Sequence, residues 1–237
     1  MSSNDNVRQQ VVGRPKKVSR QQIVSAALAV MEKDGFASLS LRALARELGI
    51  NHATLYNYIE NIEEVEREAL DALRMRIPMP DRTRPEPVRQ QLIEHLLAVH
   101  KTQVLYPKFC FAPPGTPTWR IHMTALASVL DSCCEAEEQV EDITIAYNTL
   151  ISLVARNAER SRVTGNEAPV ATDLKILETL PDNEFQMMIR PYLRPGGASK
   201  KLTSFVFRLD YLISNLMPGV AAVDNSILQA LEQEFGR

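Results

Sequence analysis

Apolar residues along this chain recur three and four positions apart, the spacing of helices, and alternating β-branched runs are rare. Ile23, Ala26, Ala27, Val30 and Met31 share one helical stripe. Ser19 precedes them, with Gln22 three residues on, the pattern in which two side chains close a helix N-terminus reciprocally. Gly35 stands where a C′ residue would end that helix. Leu41, Leu44, Ala45 and Leu48 form the stripe of a shorter helix, capped by Ser40 and closed by Gly49. Asn51 caps a third, "HATLYNYI", and Asn61 a fourth, "IEEVEREALDALRMRI". Glu63 and Glu64 lie in the first turn of the fourth, where the helix dipole favours acid.

The Pro-rich, charged "PMPDRTRPEP" (78–87) reads as a connector. After it the pattern predicts a helix over about 88–105, a break at "YPKFCFAPPGTP", a helix over about 118–134 and a long one over 137–163. On the long helix Val140, Ile143, Tyr147, Leu150, Ile151, Val154 and Ala158 make a broad stripe. "TGNEAP" opens an irregular stretch, followed by a short helix near 182–192 and the break "RPGGASK". The helix over 200–217 is apolar nearly all round, through Leu202, Phe205, Val206, Leu209, Leu212, Ile213 and Leu216. Such a helix needs cover on two sides, either from its own body and a twin subunit or wholly within a monomer core. The expected fold is all-α: a flexible basic arm over 1–18, a three-helix head over 19–66 and a larger helical body over 67–237.

Composition sharpens this picture through charge. The 237 residues are 45% hydrophobic and 24% charged, as in globular proteins, and the net charge is −2. That small total conceals an asymmetry: residues 7–58 hold eight Lys/Arg against three Asp/Glu. A basic head on an acidic body points to an anionic partner for the head. No apolar run reaches the ~18 residues of a membrane span, and the N-terminus lacks a signal peptide's apolar stretch, so a cytoplasmic protein is expected. Cys110, Cys133 and Cys134 imply no disulfide framework.

Two short helices joined by "LGIN" and braced by a longer one make a helix-turn-helix pattern. A helix that enters the major groove needs small or polar residues outside and apolar anchors inside. Ile50, Leu55 and Ile59 anchor it, with Leu44 and Leu48 opposite, leaving His52, Ala53, Thr54, Tyr56, Asn57 and Tyr58 outward or sideways. His and Asn can pair with base edges and Ala can touch a thymine methyl, while Thr and Tyr hydroxyls can bond phosphates. Ser40 and Arg42 sit at the start of the preceding helix, where Arg42 reaches a guanine or a phosphate. Arg14, Lys16 and Lys17 lie in "GRPKK", a segment that serves equally as a minor-groove arm or as a solubilising tail.

The stretch "IVSAALAVMEKDGFASLSLRALARELGINHATLYNYIENIEEV" resembles the DNA-binding domain of the tetracycline-repressor (TetR) family. Gly35–Phe36 after the first helix, "LSLRALARELG", and Thr54, Leu55, Tyr56 and Tyr58 carry the resemblance over about a fifth of the chain. Ile59 stands where the family has Phe. At the start of helix 4 the family has a phosphate-contacting Lys, and here that residue is Ile62. Either the helix-4 amides hold that phosphate unaided or the basic arm compensates. The resemblance implies a transcriptional regulator that binds a double-stranded DNA operator and a small-molecule effector. It also implies a homodimer formed through the last long helices, here those near 137–163 and 200–217. A repressor released from a near-palindromic operator is the expectation. An activator of the same fold, or a helical ligand- or partner-binding protein with weakened DNA binding, are the alternatives.

In the body, polar and aromatic residues interrupting apolar helices nominate a pocket for a mostly apolar effector. They are His95, His100 and Gln103, then Phe109, Phe111, Trp119, His122 and Met123, and Tyr147 with Asn148, alongside apolar Val99 and Leu126. Taken singly, each His can equally be a satisfied core or surface residue. His95 and His100 are five apart, which splits them across helix faces and argues against a metal pair. Vicinal Cys133–Cys134 reads as two small hydrophobes rather than a thiophilic site. No Gly-rich phosphate loop, G-x-S-x-G or H-E-x-x-H occurs, so neither catalysis nor a cofactor is expected.

Overall fold

The computed structural model describes residues 18–110, 115–164 and 204–235. They form helices α1 (Arg20–Asp34), α2 (Leu41–Leu48), α3 (His52–Leu55), α4 (Ile62–Arg74), α5 (Val88–Leu105), α6 (Pro117–Cys133), α7 (Val140–Thr164), α8 (Phe205–Leu216) and α9 (Asn225–Phe235). There is no strand among the described residues, and no described helix is long and apolar enough to cross a membrane. Arg14, Lys16 and Lys17, Phe111, the helix expected near 182–192 and residues 200–203 with Leu202 lie outside the described residues. The chain divides into two compact units, Met1–Ala69 and Leu70–Arg237.

In the first unit the helix ends follow local chemistry. Ser19 Oγ accepts from the Gln22 amide at 3.2 Å, and Gln22 Oε1 accepts from the Ser19 amide at 2.9 Å, completing the capping box. Ser40 Oγ accepts from the Ala43 amide at 3.2 Å, Asn51 Oδ1 from the Ala53 amide at 2.9 Å, and Asn61 Oδ1 from the Glu64 amide at 2.8 Å. Gly49 turns the chain out of α2 at φ 66°, ψ 35°, a left-handed conformation that costs a side-chain-bearing residue most. Ile23, Ala27, Leu44, Leu55, Val65 and Ala69 are fully buried.

In the second unit α5 packs most extensively on α7 and also meets α6, α8 and α9. Leu92, Ile93 and Leu96 on α5, and Leu150, Val154 and Ala158 on α7, expose no surface. One buried charge joins elements distant in sequence. The Arg89 side chain, 3% exposed, donates to Asp210 Oδ1 at 3.2 Å and to Ser214 Oγ at 2.5 Å on α8, and to the Val220 carbonyl beyond it. Without those acceptors the guanidinium would be an uncompensated charge in a dry site.

One expectation changes here. Val140, assigned to the buried stripe of the long helix, is 40% exposed. A 3₁₀ turn over Glu137–Gln139 precedes it, so Val140 is the first α-helical residue, at the frayed end of the stripe. The apolar α8 takes its cover from α5, α7 and α9 of its own chain, with Phe205, Val206, Phe207, Leu209 and Ile213 buried. Helix α9, absent from the sequence reading, supplies Leu228 and Leu231 to this cover, and the Asp224 carbonyl accepts from the Ile227 amide at 3.0 Å at its start.

Candidate DNA-binding head and ligand pocket

The groove-facing surface assigned to the head is arranged around two anchors. Leu55 and Ile59 are buried at 0% and 4%, while His52, Ala53, Tyr56 and Asn57 are exposed and Thr54 and Tyr58 half-buried. Ser40 and Arg42, at the start of α2, are exposed as well. The His52 and Tyr56 rings meet edge-on, 6.2 Å apart. Ile50 and Leu48 are half-buried, so they anchor less than the sequence suggested.

The recognition helix is shorter than "HATLYNYI". It ends at Leu55, so Tyr56, Asn57 and Tyr58 occupy a tightened turn instead of a helix face. There the Asn57 amide donates to the Thr54 carbonyl at 3.2 Å and the Tyr58 amide to the Leu55 carbonyl at 2.8 Å, both i to i−3. β-Branched Thr54 and the two aromatics are weak helix formers, and a helix this short has no cooperative reserve.

A residue that sequence reasoning missed fixes the end of this turn. Arg20, on the first turn of α1, donates from Nε to Glu68 Oε2 and from a terminal nitrogen to Glu68 Oε1, both at 2.8 Å. The same group lies 2.6 Å from Glu64 Oε1, and its other terminal nitrogen donates to the Tyr58 carbonyl at 3.0 Å. The Glu68 bonds hold its pKa above the ordinary arginine value, with the Glu64 charge adding to them. Arg20 therefore spans α1, α4 and the last carbonyl of the recognition turn. At the start of α4, Ile62 is half-buried and Glu63 exposed, so the first turn of that helix presents amides and an acid.

In the second unit a cavity of about 90 Å³ opens among α4, α5, α6 and α7. Of the residues nominated from sequence, His95, Val99, Gln103, Phe109, His122 and Tyr147 line it. His95, Val99 and Gln103 are four apart, one face of α5. The others sit elsewhere. His100 is packed between the rings of Phe205 and Phe235, at 5.0 and 5.1 Å, with Nε2 2.9 Å from Asn157 Oδ1. Trp119 stands behind the cavity wall, its ring 5.3 Å from that of His122. Leu126 is buried outside the lining, while Met123 (41% exposed) and Asn148 face outward, because a step of 100° per residue turns them from the face that carries His122 and Tyr147.

The lining also includes residues the sequence did not nominate, chiefly Arg74 from the last turn of α4 and Thr118 from α6. Arg74 donates to Asp71 Oδ1 at 2.8 Å and to the Phe109 carbonyl, and its guanidinium lies 4.3 Å from the Phe109 ring centre. Thr118 Oγ1 donates to the same Asp71 oxygen at 2.8 Å. Across the cavity, burial pushes the His95 pKa down, against the opposing bond to the Pro78 carbonyl, so the ring is neutral at pH 7. Nδ1 lies 2.9 Å from that carbonyl, which only accepts, so Nδ1 carries the proton and Nε2 receives the Tyr147 hydroxyl at 2.9 Å. Burial lowers the His122 pKa and raises that of Tyr147, so both are neutral too.

The family model for bacterial regulatory proteins of the tetR family matches residues 23–69. Over 66 residues the chain is 39% identical to Rv0681 of Mycobacterium tuberculosis, an HTH-type transcriptional regulator, and the match spans 28% of each chain. In fold it is similar to the Streptomyces coelicolor TetR family protein ActR in complex with actinorhodin, with a TM-score of 0.57, 22% identity and coverage of 87% of this chain and 100% of that one. It is also similar to SCO7222, a TetR regulator of the same organism, with a TM-score of 0.60, 17% identity and coverage of 86% and 100%. Residues 23–69 thus match the tetR family of bacterial regulatory proteins in sequence, and most of the chain is similar in fold to solved TetR family proteins.

Proposed function

We propose that this protein is a cytoplasmic, ligand-responsive transcriptional repressor that binds a near-palindromic operator as a homodimer. The observation that carries the DNA-binding part is the exposed set His52, Ala53 and Asn57 beside Arg42, held from beneath by buried Leu55 and Ile59. In their proposed roles, His52, Ala53 and Asn57 read bases, while Thr54, Tyr56 and Tyr58 grip phosphates with Arg42 and the arm residues Arg14, Lys16 and Lys17. Outward apolar and aromatic residues on the two last long helices, Ile145 at 57% and Tyr211 at 47% exposure, support a subunit interface there. Two copies would place two recognition turns one DNA turn apart.

The proposed effector occupies the cavity between α4 and α7. Asp71 and Arg74 belong to the last turn of α4, a helix whose N-terminal cap Asn61 follows the recognition turn. A ligand that favours one setting of the Asp71–Arg74–Thr118 group would bias α4, and so shift the population of DNA-competent dimers. The likeness to ActR, solved with actinorhodin bound, supports a ligand-binding body. Ile62 and exposed Glu63 at the start of α4 favour a second reading, in which DNA affinity is weakened. Selection of genomic fragments by the purified protein, followed by footprinting, decides between them. Two protected half-sites centred about ten base pairs apart are expected; the absence of any protected fragment would overturn the repressor reading.

A further inference from the structure

Two hydroxyls of the body cavity have already committed their protons. Tyr147 gives its hydroxyl proton to His95 Nε2, which leaves its oxygen as an acceptor. Thr118 gives its proton to Asp71, which leaves Oγ1 as an acceptor. Gln103 is 4% exposed, and its Oε1 is buried with no hydrogen-bond partner among the described residues. Gln103 lines the cavity, so this oxygen is an acceptor open to an occupant. His122 is engaged with Asn148, outside the lining. Arg74 is matched by Asp71 and the Phe109 carbonyl. Among the described lining residues the site is thus rich in acceptors, and its cation, Arg74, is already paired with Asp71.

Shape narrows the class. His122, Tyr147 and His95 form a continuous aromatic wall, with neighbouring ring centres 6.2 and 5.9 Å apart, and Trp119 backs His122 at 5.3 Å. Ile77, Met79, Val99, Ile121, Ala125 and Ile151 complete an apolar lining. A volume of about 90 Å³ is the room of about three waters at ~30 Å³ each, so it limits the enclosed part of a ligand to one small ring at most.

We infer that the cavity is built for a neutral, single-ring hydroxyaromatic compound, a phenol-class ligand whose ring packs on the aromatic wall and whose hydroxyl donates to the acceptor set headed by Gln103 Oε1. The inference rests on reading this cavity as the effector site and adds the chemical class. A carboxylate of the same size is disfavoured, because among the described lining residues its buried charge would meet chiefly acceptors and an arginine already paired with Asp71.

Three probes separate the terms: p-cresol, its isostere p-xylene, which lacks the donor, and benzoate. Binding to the full chain is read by calorimetry and by the fluorescence of Trp119, the chain's one tryptophan. p-Cresol should bind about fivefold to tenfold tighter than p-xylene, the net worth of one hydrogen bond, and benzoate weakest. In Gln103→Leu the preference for p-cresol should collapse while p-xylene still binds, which shows that the pocket is intact. Tyr147→Phe should reduce the same preference independently. Benzoate binding as tightly as p-cresol, a preference unchanged in both variants, or no binding by any probe would overturn the class assignment. Release of DNA is a separate readout. Binding of p-cresol without release removes the effector role and keeps the ligand class, whereas release by an anionic compound that displaces p-cresol keeps the effector role and removes the ligand class.

Discussion

Replacing Arg20 by Met keeps the length of the side chain and removes the fork that joins Glu68, Glu64 and the Tyr58 carbonyl. The side chain is 35% exposed, so the ion pairs are screened and contribute only about 0.2–1 kcal/mol. The bond to the Tyr58 carbonyl adds about 1 kcal/mol, since the turn it closes has little helix to rely on. The expected loss is therefore roughly 1–2 kcal/mol, confined to the head. Hydrogen exchange on the full chain should show amide protection in residues 20–69 falling by about 5-fold to 30-fold, with α5 and α7 unchanged. Operator affinity should fall with it, because Asn57 and Tyr56 lie in the turn that Arg20 closes. The salt dependence of binding should not change, because Arg20 faces carboxylates and not phosphate. Arg42→Ala, by contrast, should lower the slope of log affinity against log salt by about 0.9. Unchanged protection in Arg20→Met, or a reduced salt slope, would refute the reasoning.

Arg89→Met strands Asp210 and the Val220 carbonyl. Removing one partner of a buried pair costs about 3–5 kcal/mol, so Tm should fall by several degrees in a melting experiment. Asn57→Ala should relax base preference at one operator position by about 1–3 kcal/mol, whereas Tyr56→Phe should weaken all sequences alike; competition against a randomised operator library separates these outcomes. His95, His100 and His122 all have pKa values lowered by burial. The unfolded chain therefore binds more protons below about pH 6.5, and stability should fall as pH drops through that value, by up to about 1.4 kcal/mol per pH unit for each His. Denaturant titrations from pH 7.5 to 5.5 check the sign, and stability that rises on acidification would contradict it.

What the sequence made legible was local. Ser19 with Gln22, Ser40, Asn51 and Asn61 cap helices through bonds spanning two or three residues, so the letters alone place those helix starts. The face of α5 with His95, Val99 and Gln103 was readable because one helix carries all three. The remaining features depend on residues distant in sequence. Arg20 and Tyr58 are 38 positions apart, Asp71 and Thr118 are 47, and Arg89 and Asp210 are 121. His100 looked like a pocket residue because the sequence gives no sign of Phe205 and Phe235 closing around it. Helix α9 escaped notice because its apolar set is short and its start rests on a backbone carbonyl of Asp224.

The central claim is that the exposed turn at His52–Asn57 reads DNA. The measurement that tests it most directly is the affinity of the full chain for a selected genomic fragment and for a scrambled one of equal length, titrated from 50 to 200 mM salt. A preference of about 10³-fold or more for the selected fragment is expected, with affinity for both falling steeply as salt rises. Equal affinity for the two fragments, or binding indifferent to salt, would contradict it.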